Sequence, residues 1–187
     1  EGAFHRILNC DFENSASQGI YIQGGTNIWV SNCYISDNEA DGMEITSDFV
    51  GCAKIIGNDV RINGWHGIRV NSQNHTWLQF TDNNCQNNGT AQGNTYSGIH
   101  LNGDGGANTG RNDIKITGGV CGRLTDGSYT STATAYNQKH GISVHGEDHQ
   151  RLTIIDVDCS GNRDANKISY AWGSGSSNSA VAYIGQA

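Results

Sequence analysis

Five short segments of this chain open with one word: Gly19-Ile20-Tyr21-Ile22, Gly42-Met43-Glu44-Ile45, Gly67-Ile68-Arg69-Val70, Gly98-Ile99-His100-Leu101 and Gly141-Ile142-Ser143-Val144. Their glycines stand 23, 25, 31 and 43 residues apart. Apolar side chains alternate after each glycine, the pattern of a strand with one face buried. A second word falls between these segments: Asn9-Cys10, Asn32-Cys33 and Asn84-Cys85, with Asn58-Asp59, Val120-Cys121 and Asp158-Cys159 as variants. One such unit cannot bury its own apolar face, so units must stack on one another.

Further strands are expected before the second word, at 27–31, 54–57, 76–81, 113–117 and 152–157, and after it, at 34–35 and 60–62. The expected fold is therefore all-β. It is a right-handed single-stranded parallel β-helix, a solenoid of about six turns with three short strands per turn. Residues 1–160 form the turns. The periodicity fades over 161–187, which is expected to be a terminal cap or the start of a linker. Glu1 begins in mid-repeat, since His5, Ile7, Asn9, Cys10 and Phe12 parallel Ile28, Val30, Asn32, Cys33 and Ile35. A truncated N-terminus is expected on that ground.

Composition agrees with many tight turns. The 187 residues include 26 Gly, no Pro and only 16% charged residues, and Gly and Asn tolerate the left-handed backbone that such turns need. The net charge of −7 argues against nucleic acid as a partner, because phosphate binding needs a basic stripe. No segment is apolar enough to imply membrane insertion. Five of the six cysteines fall at the repeat word and none has Cys-x-x-Cys spacing. Cys10, Cys33, Cys85, Cys121 and Cys159 are expected as one inward row of free thiols, broken by Asp59. Asn9, Asn32, Asn58 and Asn84 are expected as a second row whose amides satisfy backbone groups at a turn. Asn74 and Asn88 fit the Asn-x-Thr acceptor pattern.

Stacking the Gly-Ile strands aligns their outward positions. The row before the glycine is Gln18, Asp41, His66, Ser97 and His140. Two residues after it comes Tyr21, Glu44, Arg69, His100 and Ser143, then Gln23, Thr46, Asn71, Asn102 and His145, with Asp104 and Glu147 further along. Glycoside hydrolysis needs two carboxyl groups across a bond. Elimination needs a base, plus a cation to hold the sugar carboxylate. Asp41, Glu44 and His66 are the first catalytic candidates, both carboxylates expected to be exposed. Asp104 and Glu147 are a second pair. Tyr21, Trp65, Arg69, His100, His140 and His145 are candidate substrate-binding residues. The longer segments 86–97 and 122–140 are expected to wall this face. The same rows also suit ordinary exposed ion pairs on a scaffold. No resident cofactor or metal is expected; Asp82-Asn83-Asn84 and Gly103-Asp104-Gly105-Gly106 are weak oxygen-rich candidates for calcium.

The Asn-Cys and Gly-Ile-x-Val words resemble those of the pectate-lyase-like β-helix superfamily. Glu39-Ala40-Asp41-Gly42 is similar to the Asn-Thr-Asp-Gly strand of polygalacturonases, which implies a catalytic aspartate at Asp41. That family's next-turn Gly-Asp-Asp is Gly64-Trp65-His66 here, and its Gly-His-Gly is reduced to His140-Gly141. These departures point away from polygalacturonase activity itself. The short Pro-free turns with variable loops look more like bacteriophage tailspikes. That resemblance implies recognition and cleavage of a bacterial surface polysaccharide, a homotrimer, and an extracellular or virion-associated setting. The alternatives are a glycan-binding module without catalysis and a structural stalk.

Overall fold

The computed structural model describes residues 4–72, 75–92, 95–103, 113–122, 138–146, 151–162, 168–172 and 180–184. Every regular element among these is a β-strand, so no helix among them is long and apolar enough to cross a membrane. One curled sheet carries the Gly-Ile strands side by side: Ile20–Ser31, Met43–Ile56, Ile68–Ser72, Ser97–Gly103, His140–Gly146 and Ile168–Trp172. The same sheet continues from Phe4–Leu8, Ile20–Ser31 and Met43–Ile56 through His75–Thr81, Asp113–Thr117, Arg151–Ile155 and Ala180–Ile184. A smaller sheet holds Asp11–Glu13, Tyr34–Ser36, Asp59–Arg61 and Asn84–Gln86. All pairings are parallel and each joins one repeat to the next. Parallel neighbours joined by crossovers wind right-handed. The architecture is a right-handed parallel β-helix, as the repeats predict.

Two boundaries differ in detail from the expected pattern. In the first two repeats the Gly-Ile strand runs into the next as one strand of 12 or 14 residues. The bend between them is a register shift at Gln23/Gly25. Beyond residue 160, Ile168–Trp172 pairs with His140–Gly146, and Ala180–Ile184 pairs with Arg151–Ile155. The ladders therefore run on into the segment expected to be a cap.

The core is the alternation made physical. Ile20, Met43, Ile68, Ile99 and Ile142 stack from one side, and Ile28, Ala53, Leu78, Ile114 and Leu152 from another. Each such side chain contributes about 1.5–3 kcal/mol by leaving water.

The corners correct the expected rows. The first corner uses a left-handed residue in every repeat: Asn9, Asn32, Gly57, Asp82, Gly118 and Asp156, with φ between 51 and 64°. Asn9 and Asn32 are thus equivalent to Gly57 and Asp82, one residue away from Asn58 and from the Asn83-Asn84 pair. Register follows from this. Tyr34 pairs Asp59, which pairs Asn84, and Ile35 pairs Val60, which pairs Cys85. Cys33 then stacks on Asn58, whose carbonyl oxygen accepts the Cys33 backbone N–H at 3.0 Å. The cysteines form two rows, Cys10/Cys33 and Cys85/Cys121/Cys159, instead of one. All six are free. A hydrogen bond with Cys85, then burial, pushes the Cys121 thiol well above its usual range.

The asparagine row is likewise a different one. Asn84 is exposed, while Asn58 donates to Asn83 Oδ1 at 3.0 Å and to the Val30 carbonyl at 3.2 Å. Asn83 is so engaged, leaving the calcium candidate Asp82-Asn83-Asn84 with its central amide turned inward.

A longer amide ladder lies at the second corner. Asn38 donates to Asn63 (2.8 Å), Asn63 to Asn88 (2.9 Å), Asn88 to Gln138 (3.4 Å) and Gln138 to Asn162 (2.8 Å). Asn88 is fully enclosed and its amide cannot act as a glycosylation acceptor. The ladder explains the repeated glycine. A Cβ on Gly42 would lie 2.6 Å from Asn63 Nδ2 and 2.7 Å from the Gly67 oxygen; on Gly67, 2.7 Å from Asn88 Nδ2 and 2.6 Å from the Gly98 oxygen.

The second corner holds Asn14, Asp37, Ile62 and Asn87 in the left-handed region, Ile62 at φ 59°. A β-branched residue there is strained by about 1–2 kcal/mol. Ile62→Asn, which copies its neighbours, is expected to stabilise the fold by about 0.5–1 kcal/mol after some loss of apolar burial. A lower denaturation midpoint for the variant would show the corner is not strained.

Candidate functional site

The outward rows of the Gly-Ile strands align as the repeats predict. Tyr21 pairs Glu44, Glu44 pairs Arg69, Arg69 pairs His100 and His100 pairs Ser143. Asn102 pairs His145, and Ser97 pairs His140. What differs is exposure. Asp41 is 0% exposed and Glu44 7%, although both were expected to stand in solvent. Arg69 and the His66 backbone close on Asp41, and Arg69 and Gln18 on Glu44.

Arg69 organises the acids. Its Nη1 lies 3.7 Å from Asp41 Oδ2 and 3.6 Å from Glu44 Oε1, ion-pair contacts too long for good hydrogen bonds. Asp41 Oδ1 accepts the His66 backbone N–H at 2.9 Å. Glu44 Oε2 accepts from Gln18 Nε2 at 2.6 Å. Asp41 Oδ2 and Arg69 Nε are both buried without a hydrogen-bond partner. Burial raises the Asp41 carboxyl to about 6, against the lowering effects of the His66 N–H and Arg69.

The histidines form a neutral stack. His66 Nδ1 accepts the Ser97 backbone N–H at 2.9 Å, so the proton of the neutral ring sits on Nε2. Its ring lies flat on His100, centroids 4.2 Å apart and planes 10° apart. His100 Nδ1 is 2.7 Å from Ser143 Oγ, and His145 packs edge-on against His100 at 5.2 Å. Burial, then His100 and Arg69, drives His66 well below 6.5. Burial, then His145 and Arg69, takes His100 to about 4. Burial, then His140 and Lys139, lowers His145. At neutral pH Arg69 is thus the cation at the centre of this cluster.

An aromatic platform borders it. Trp65 stacks on Tyr96 at 5.9 Å and 14°, and Tyr96 meets the edge of His66 at 5.1 Å. Trp65 is 36% and Tyr21 54% exposed. Tyr96 belongs to the expected 86–97 wall, and sequence reasoning had not singled it out, because it lies outside the repeat and no period marks it. Gln18 and Ser143 stood in the aligned rows and were passed over as ordinary polar residues. His140 is buried one repeat beyond Ser97. Asp104, Glu147 and most of the 122–140 segment lie outside the described residues. Among the described residues no group of three or more His, Cys, Asp or Glu is placed to hold a metal ion.

A sequence model of the family described as right handed beta helix region matches residues 2–96. No curated protein and no solved structure matches the chain.

Proposed function

Since the chain belongs to the right-handed β-helix family, we propose that the face built on its Gly-Ile strands binds a polysaccharide. The observation that carries this reading is the Trp65–Tyr96 stack, with Trp65 exposed, which meets through Tyr96 the His66 ring that lies flat on His100. Aromatic faces cover the apolar faces of sugar rings, while a few fixed polar groups set orientation. Arg69 suits a carboxylate on the sugar, since its guanidinium is a planar fork of donors and its side chain is partly exposed. The parallel ladders hold these groups at about 4.8 Å intervals along the axis, so an extended chain meets several at once.

Cleavage on the same face is the second reading. What favours it is a carboxyl raised to about 6 next to a second carboxylate, a pairing that glycosidases use to separate acid from base. Glu44 is the member a substrate can touch. Asp41 becomes reachable only if Arg69 or His66 swings aside. Under this reading a tailspike-like homotrimer acting outside the cell or on a virion is the natural setting, and sedimentation tests it.

The experiment is incubation with a panel of bacterial capsular and O-antigen polysaccharides. Binding is measured directly, reducing ends score hydrolysis, and absorbance of an unsaturated sugar scores elimination. Trp65→Ala is expected to weaken binding roughly three- to tenfold. Glu44→Gln is expected to lower any turnover by roughly a hundred- to ten-thousandfold. No binding to any member would leave the stalk as the better account. Binding that Trp65→Ala leaves intact would move the site off this face.

A further inference from the structure

We infer that a second ligand site lies on the other outward face, where Phe4, Arg6, Trp29, Cys52 and Lys54 line a hollow of about 230 Å³, and that it takes an acidic sugar unit bearing a carboxylate or sulfate. It goes beyond the Gly-Ile face and does not depend on it. Arg6, Trp29, Lys54, Gln79 and Lys115 are consecutive partners in one row across the strands. The chain carries a net charge of −7, yet this row holds three cations and no acid.

The cations are held by rings. The Arg6 guanidinium lies 5.3 Å from the Phe4 ring and 5.0 Å from the Trp29 ring. Lys54 Nζ lies 5.4 Å from the Trp77 ring. Among the described residues neither cation is within 4 Å of a carboxylate, the ion pairs there being those of Arg61 and Arg69. Their N–H donors are therefore oriented but not neutralised. Trp29 Nε1 is shielded from water and has no hydrogen-bond partner. A buried donor left unmade is costly. An anion seated between Arg6 and Lys54, with a small shift of the flexible Arg6 chain, gives that N–H an acceptor. One carboxylate or sulfate matches two cations and a neutral donor, and the hollow has room for a single sugar ring. A nucleobase is a poorer match, because Arg6 already covers ring faces of Phe4 and Trp29 on which it would stack.

Cys52 is half-buried in the hollow and reports occupancy. Its alkylation by iodoacetamide is followed by peptide mass spectrometry, with oligogalacturonate, its methyl ester and inorganic sulfate as probes. Oligogalacturonate is expected to protect Cys52 at concentrations about tenfold below the other two. Arg6→Gln with Lys54→Gln, both exposed positions, should abolish that protection. Trp29→Phe, which keeps a ring and removes the N–H, should weaken it. Trp65→Ala and Glu44→Gln should leave it unchanged, which separates this site from the Gly-Ile face. Equal protection by the methyl ester or by sulfate alone overturns the acidic-sugar assignment. So does stronger protection by a single-stranded oligonucleotide. Protection that rises with protein concentration alone would mean that a second copy of the chain covers this face, and would also overturn it.

Discussion

Asn63→Ala is expected to cost about 3–5 kcal/mol of folding stability, read as a lower midpoint in urea. The Asn63 carbonyl oxygen accepts the Asn38 backbone N–H at 3.2 Å and the Asn38 amide at 2.8 Å. Its amide donates to the Ile35 carbonyl at 3.2 Å and to Asn88 Oδ1 at 2.9 Å. Truncation strands partners on both neighbouring turns where no water reaches. Each buried orphan costs about 1–3 kcal/mol, and linked partners do not add in full. The matched control is Asn84→Ala. Asn84 belongs to the row that the Asn-Cys word suggests, yet it is exposed, and its loss should change stability by less than about 0.5 kcal/mol. Equal costs at the two positions would mean that the ladder runs through the wrong asparagines.

That contrast shows where the repeats are legible and where they are not. The Gly-Ile words give the correct strand register across five turns, because a glycine and two alternating apolar residues leave a single way to face the core. The Asn-Cys words mislead, by one residue at Asn58 and by two at Asn84-Cys85. Aligning Asn32 with Asn58 matches identical letters, but the backbone matches Asn32 with Gly57, since both occupy the left-handed corner at φ 54 and 64°. Asn and Gly are alternatives at such a corner, so letter identity is a poor guide there. The second ladder was readable as Asn38, Asn63 and Asn88, spaced 25 apart. What hid it was that each follows a residue of different type, Asp37, Ile62 and Asn87, all sharing one backbone conformation.

The candidate site was legible as a set of rows but not as an environment. Alternation says which residues face outward; it does not say how deep an outward residue sits once long neighbours stack over it. Asp41 is enclosed because Arg69 and the His66 backbone close on its carboxylate. Tyr96 arrives from a segment without periodicity. The cation and aromatic row lies on another face of the same curled sheet and is not legible in the sequence, because its members are scattered at positions 6, 29, 54 and 115 and only strand pairing brings them together.

Acidification is expected to weaken the fold between about pH 6.5 and 4, and the buried titrating groups decide the shape of that loss. His100 is lowered from 6.5 to about 4 in the folded protein. In this window the unfolded chain binds a proton that the folded one refuses, so His100's contribution is present above pH 6.5 and is lost as the pH falls to about 4. Its magnitude is about 2–3 kcal/mol. His66, also lowered by burial, acts in the same direction. Asp41 acts in the opposite one. Its carboxyl is raised from 3.8 to about 6, so the folded state holds the proton more tightly, and this contribution is present below pH 3.8 and lost as the pH rises through 6. Two histidines outweigh one aspartate, and the net slope follows them. His100→Gln should flatten the acid limb by about 2–3 kcal/mol. Asp41→Asn should do the reverse, stabilising the protein at pH 7 by up to about 3 kcal/mol and steepening its loss on acidification. Denaturant titrations at pH 7, 5.5 and 4 separate the two. Parallel curves for the wild type and both variants would show that these rings and this carboxyl do not titrate as their burial requires. A neutral histidine stack at working pH also bears on the proposed function, since it leaves Arg69 to supply the positive charge that an acidic sugar would meet on this face.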